Sequence, residues 1–102
     1  MAAVTFVRTS CMMPGKIPEG HRYFENRMKW LKEKYGVQAS LMVLLGGQVG
    51  RIAMVAEQDS IAQIEKIRRE IVAGALPKEL ATGAEGLFLP GETRDRIWLK
   101  IK

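Results

Sequence analysis

The chain has 102 residues, 47% of them hydrophobic and 26% charged, the profile of one soluble globular domain spanning residues 1–102. That composition excludes extended disorder, and no apolar run reaches the ~18 residues of a membrane-spanning helix. Sixteen Lys and Arg against eleven Asp and Glu give +5, but acidic residues are interspersed among the basic ones, so neither nucleic acid nor a membrane is the expected partner.

Residues 4–13 are rich in β-branched side chains and read as a first strand, ended by Pro14-Gly15. From 19 to 35 the period changes. Phe24, Met28, Leu31 and Tyr35 fall at spacings of four, three and four, the stripe of an amphipathic helix, and Gly36 stops it. Residues 37–45 and 49–57 read as two strands joined by a Gly46-Gly47-Gln48 turn, an antiparallel hairpin. Asp59 or Ser60 caps a second helix, whose stripe is Ile61, Ile64, Ile67 or Arg68, Ile71 and Ala75. Gly74 and Pro77 close it. Residues 78–86 suit a short helix with a loop, 87–91 an apolar linker, and 93–101 a fourth strand.

The order β-α-β-β-α-β predicts a ferredoxin-like α+β fold. Its four-stranded antiparallel sheet would run 4-1-3-2, with both helices on one face. Strand parity then predicts what each face carries. An aliphatic set belongs under the helices: Val7, Thr9 and Cys11; Leu41, Val43 and Leu45; Ile52, Met54 and Ala56; Ile97, Leu99 and Ile101. The opposite set is mixed. Phe6, Met12, Met42, Leu44, Val55 and Trp98 share it with Arg8, Ser10, Gln38, Ser40, Arg51 and Arg96. Such a face suits sheet-on-sheet packing in a homodimer, with the polar members lining a cavity.

The βαββαβ order, the Met-Met-Pro-Gly-Lys strand exit, the Gly-Gly-Gln-Val-Gly-Arg-Ile hairpin and the closing Arg-Ile-Trp strand together resemble the dimeric α/β-barrel superfamily. Within it, the chain is most similar to small NIPSNAP-type proteins. The resemblance implies a homodimer whose sheets close into a barrel, with a cleft inside the barrel or between each sheet and its helices. The superfamily includes cofactor-independent monooxygenases of the antibiotic-biosynthesis type, isomerases, haem enzymes and proteins without established chemistry, so the fold does not choose a reaction.

Three arginines, Arg8, Arg51 and Arg96, fall on the mixed face, one on each of three strands. Buried arginine needs a partner, either a carboxylate such as Glu57, Asp95 or one from a second copy, or an anionic ligand. Arg8, Ser10, Gln38, Arg51 and Trp98 are therefore the candidate ligand-binding residues, for a small anionic or aromatic molecule. His21 is the sole histidine and the candidate general base if the protein is an enzyme of the monooxygenase or isomerase type. Cys11 reads as a small buried hydrophobe. One Cys and one His make no closed zinc site, and no metal or other cofactor is expected. The absence of a basic-then-apolar leader points to the cytoplasm.

Overall fold

A computed structural model describes residues 3–47 and 49–102. The elements in chain order are β1 (Val4–Cys11), α1 (Ile17–Tyr35), β2 (Gln38–Val43), β3 (Arg51–Gln58), α2 (Ile61–Val72), α3 (Lys78–Thr82) and β4 (Arg94–Leu99). The strands form one antiparallel sheet in the order β2-β3-β1-β4, the expected ferredoxin-like topology. No helix among the described residues is long and apolar enough to cross a membrane.

Local chemistry explains the boundaries. Helix α1 begins two residues before the expected start because Pro18 sits in its first turn, where the missing N–H has no helical partner to lose. It ends at Gly36, whose left-handed φ of 69° lets its own N–H bond to Lys32 O at 2.9 Å and the Val37 N–H reach back to Leu31 O at 3.4 Å. At the start of α2, Ser60 Oγ accepts from the Gln63 N–H at 3.2 Å, and Gln63 Oε1 accepts from the Asp59 N–H at 3.2 Å. Helix α2 closes at Val72, short of Ala75. There the Gly74 N–H bonds to Ile71 O and the Ala75 N–H to Glu70 O, a Schellman arrangement.

The hairpin strands are shorter at the turn than expected. β2 stops at Val43 and β3 resumes at Arg51. Gly50, just before β3, has φ 89°, and a Cβ there would stand 3.1 Å from the Met12 carbonyl oxygen, so glycine suits the approach to β3. Gln48 of the expected turn lies outside the described residues. The apolar segment 87–91 is pinned to the end of β1 by Met13 N–H to Leu87 O and Leu89 N–H to Cys11 O, both 2.8 Å.

The core lies between the sheet and the helices. Phe24 and Leu31 of α1 and Ile67 of α2 pack on Met12, Ile52, Met54 and Ala56. Tyr23, Phe24 and Phe88 meet edge to face, with ring centroids 5.4–5.6 Å apart.

The parity holds for β2, β3 and β4 but is reversed for β1. Phe6 stands opposite Ala56 and Ile97, and Arg8 opposite Met54 and Asp95. Phe6, Arg8, Ser10 and Met12 therefore face the helices, while Thr5, Val7 and Thr9 share the open face with Val55 and Arg96. Two causes outweigh the aliphatic count. Val4, Phe6 and Met12 bury more apolar surface than Val7 and Thr9, and the Arg8 charge is matched from the neighbouring strand. Ile97 and Leu99 point to the helical side but remain 46% and 60% exposed, as befits the edge strand.

Candidate ligand cleft

The reversal of β1 brings a charged side chain under the helices and creates the site. Arg8 donates Nε to Asp95 Oδ1 at 2.8 Å and Nη2 to Asp95 Oδ2 at 2.9 Å, a two-pronged pair across the β1–β4 register. Arg68 of α2 approaches the same carboxylate, Nη2 to Oδ2 at 3.5 Å. The Arg8 hydrogen bonds hold the Asp95 carboxyl below the ordinary carboxylate range against the opposing effect of burial, with the charges of Arg68 and Arg27 adding to the lowering. The same hydrogen bond raises Arg8.

Beside this pair a cleft of about 190 Å³ opens between sheet and helices. Its floor is Phe6, Arg8, Met54, Ala56 and Gln58; α1 contributes Arg27 and Leu31; Ile64, Ile67, Arg68, Ile71 and Val72 of α2 close the other wall. The lining is largely apolar, and its charged members are three arginines. With Asp95 as their shared counter-ion, three guanidinium charges meet one carboxylate. Nε and Nη2 of Arg8 are spent on Asp95. Arg27 gives Nη1 to the Tyr23 hydroxyl at 3.0 Å, and its buried Nε has no partner. Arg68 has a side chain 70% exposed and is free to turn towards an anion. The site can thus hold an apolar body against the aliphatic walls and fix its negative end at the arginines.

The candidate residues are divided between the two faces. Arg8 lines the cleft. Ser10 is buried on the same face beyond it, its hydroxyl 2.9 Å from that of Thr93. Gln38, Arg51 and Trp98 are on the open face. Arg51 Nη2 bonds to Glu92 Oε2 at 2.8 Å. Trp98 is 61% exposed and stands opposite Thr5. Gln38 borders a separate polar cavity of about 220 Å³ with Tyr35, Glu57, Gln58 and Asp59. His21 is half-buried on α1, its Nε2 without a partner, and lines neither cavity.

Reading the residues alone missed Arg27, Arg68 and Gln58. A signal existed for the first two, as both flank the apolar stripes of their helices. Asp95 was among the carboxylates expected to pair with an arginine. Gln58 carried no signal, since it lies one residue past the expected end of its strand.

No protein-family model and no protein of curated function matches the chain. Solved structures do match. A NIPSNAP family protein of unknown function from Agrobacterium tumefaciens superposes with a TM-score of 0.77 at 15% identity, over 97% of this chain and 88% of that one. A protein from Pseudomonas aeruginosa gives 0.71 at 13% identity, over 100% and 97%. An uncharacterised NIPSNAP-like domain protein from Burkholderia xenovorans gives 0.70 at 13% identity, over 98% and 86%. At these identities the likeness is one of fold. Sheet order, element order and these superpositions together give the chain the ferredoxin-like fold of NIPSNAP-type proteins.

Proposed function

We propose that this chain is a small-molecule-binding protein that holds an organic anion with an apolar body in the cleft between the sheet and helices α1 and α2, and that it works as a homodimer. The observation that carries the first part is the excess of guanidinium over carboxylate at the mouth of an aliphatic cleft. An arginine cluster of this kind favours a carboxylate or phosphate, and the aliphatic walls favour a hydrocarbon or aromatic body. Support for the second part is the open face, where exposed Met42, Leu44 and Trp98 surround half-buried Val7 and Val55. An enzyme of the monooxygenase or isomerase type that used this cleft would need a base other than His21, which lies outside it.

The test is a thermal-shift and calorimetric panel of straight-chain carboxylates with the matching alcohols. Carboxylates should raise the melting temperature and bind saturably, alcohols should do neither, and Arg68→Gln should weaken carboxylate binding several-fold. Equal binding of alcohols and carboxylates would count against the anion site.

A further inference from the structure

The two edges of the sheet are unlike. At one, Ala39 and Leu41 of β2 pack against the core, and α1 lies against the strand. At the other, every residue of β4 is exposed, and no strand among the described residues lies beyond it. The ladder shows which backbone groups are open there. In the register that pairs Val4 with Leu99, Lys100 donates its N–H to the opposite Ala3 O at 2.9 Å. On the other side of β1, Met12 donates to Gly50 O at 2.9 Å. Bonded pairs alternate along an antiparallel ladder, so the odd residues of β1 bond to β4 and the even ones to β3. Arg94, Arg96 and Trp98 therefore bond to β1, while Asp95, Ile97 and Leu99 turn their N–H and C=O groups outward.

The side chains along this edge divide by chemistry. On the helical side Ile97 and Leu99 are exposed, and Asp95 is already paired with Arg8 and Arg68. On the open side Arg94, Arg96 and Lys100 accompany the exposed Trp98. None of these three cations has an ion pair among the described residues. Glu57 shares their face but stands two strands away, across Thr5 from Trp98. A second copy of β4 laid antiparallel along the edge would set these cations against their own kind, which is unfavourable. No strand of this chain alternates acidic with apolar residues, so the chain holds no complement to its own edge.

We infer that the free edge of β4 receives an extended acidic peptide as a fifth strand of the sheet. Its main chain would pair with the outward groups of Asp95, Ile97 and Leu99. Side chains of a strand alternate between faces, so its apolar residues would lie beside Ile97 and Leu99 and its carboxylates beside Arg94, Arg96 and Lys100. In strand addition the main-chain bonds give affinity and the alternate side chains give specificity. The matching sequence is one that alternates acidic with apolar residues. This surface is separate from the cleft. The peptide adds beside the sheet and leaves the Val7 and Val55 centre of the open face clear for the proposed dimer.

The experiment is an amide-resolved NMR titration of the isotopically labelled full chain with synthetic octapeptides. One alternates glutamate with valine, one carries lysine in place of glutamate, and one has the glutamates grouped before the valines. The alternating acidic peptide should bind saturably and slow hydrogen exchange at the Asp95, Ile97 and Leu99 amides by about tenfold. The other two should leave those amides unprotected. Arg96→Glu should weaken binding several-fold. Ile97→Pro removes an outward N–H, spares the bonds to β1 and should abolish binding. If the proline variant does not fold, Arg96→Glu and the wild-type protection decide. Equal binding of the peptides, absence of binding, or shifts confined to other strands overturns the inference. Equal binding of a deoxythymidine octamer also overturns it and makes the cations a nucleic-acid surface. Protection of the same amides that rises with protein concentration alone assigns the edge to a second copy and overturns it as well. None of these outcomes bears on the anion cleft.

Discussion

Arg8 and Asp95 lie 87 positions apart in sequence and directly opposite in the β1–β4 register, joined by two hydrogen bonds of 2.8 and 2.9 Å. This pair ties the edge strand to the centre of the sheet and supplies the counter-ion around which Arg27 and Arg68 gather. It also lets a charged residue face the helices at modest cost.

The pair has a pH signature. The Asp95 carboxyl is held below its ordinary value, first by the Arg8 hydrogen bonds. A carboxyl lowered by folding contributes stability above its unfolded pKa of about 3.9. That contribution is lost as pH falls through the lower folded value. Asp95→Asn should therefore lower stability at neutral pH by about 1–2 kcal/mol, the range of a partly exposed charged hydrogen bond. The gap from wild type should close below about pH 4. Urea melts of both proteins across that range provide the check.

Cys11 is 1% exposed, and its sulfur faces the carbonyls of Met12 and Val49 at 3.9 and 3.7 Å. A thiol so enclosed is inert until the structure opens. Its labelling by a chromogenic disulfide reagent should be slow in buffer and rise with denaturant in parallel with the loss of circular dichroism. Rapid labelling of the native protein would contradict the packing at the β1 end.

Ser60 caps α2, the helix that forms one wall of the cleft. Ser60→Ala should cost about 1 kcal/mol. Ser60→Asp should restore most of it, since a carboxylate serves the same N–H and favours the positive helix end. Thermal melts of the three proteins decide this.

The open face predicts assembly. Val55 stands in its centre, opposite Val7 and Ser40, on the side away from the helices. Val55→Asp should convert a dimer to a monomer in sedimentation equilibrium while leaving the far-ultraviolet spectrum unchanged. A wild-type protein that sediments as a monomer at all concentrations would refute the homodimer.

Element order and sheet order were legible because each element carries strong local signals: the period change at α1, Gly36, and the capping serine of α2. The hairpin turn was less legible, since Gly50 and its approach to Met12 depend on contacts distant in sequence. The face of β1 was misread for a tertiary reason. Alternation divides a strand into two sets but does not say which set is buried, and counting aliphatics favoured Val7, Thr9 and Cys11. Phe6 and Met12 bury more, and the objection to burying Arg8 disappears once Asp95 stands across from it. The site residues followed that misreading. Arg8 and Ser10 were grouped with Gln38, Arg51 and Trp98, from which the sheet itself separates them. Helix residues such as Arg27 and Arg68 join the site only when α1 and α2 lie over the same face of the sheet.

The most direct test of the cleft is an amide chemical-shift titration of the isotopically labelled protein with hexanoate. The account predicts saturable shifts concentrated at Phe6, Ala56, Ile64, Ile67 and Ile71, which floor and wall the cleft, with little change at Ser40, Val55 and Trp98 on the open face. Shifts confined to the open face, or a scatter that never saturates, would contradict it and move the binding surface to the other side of the sheet.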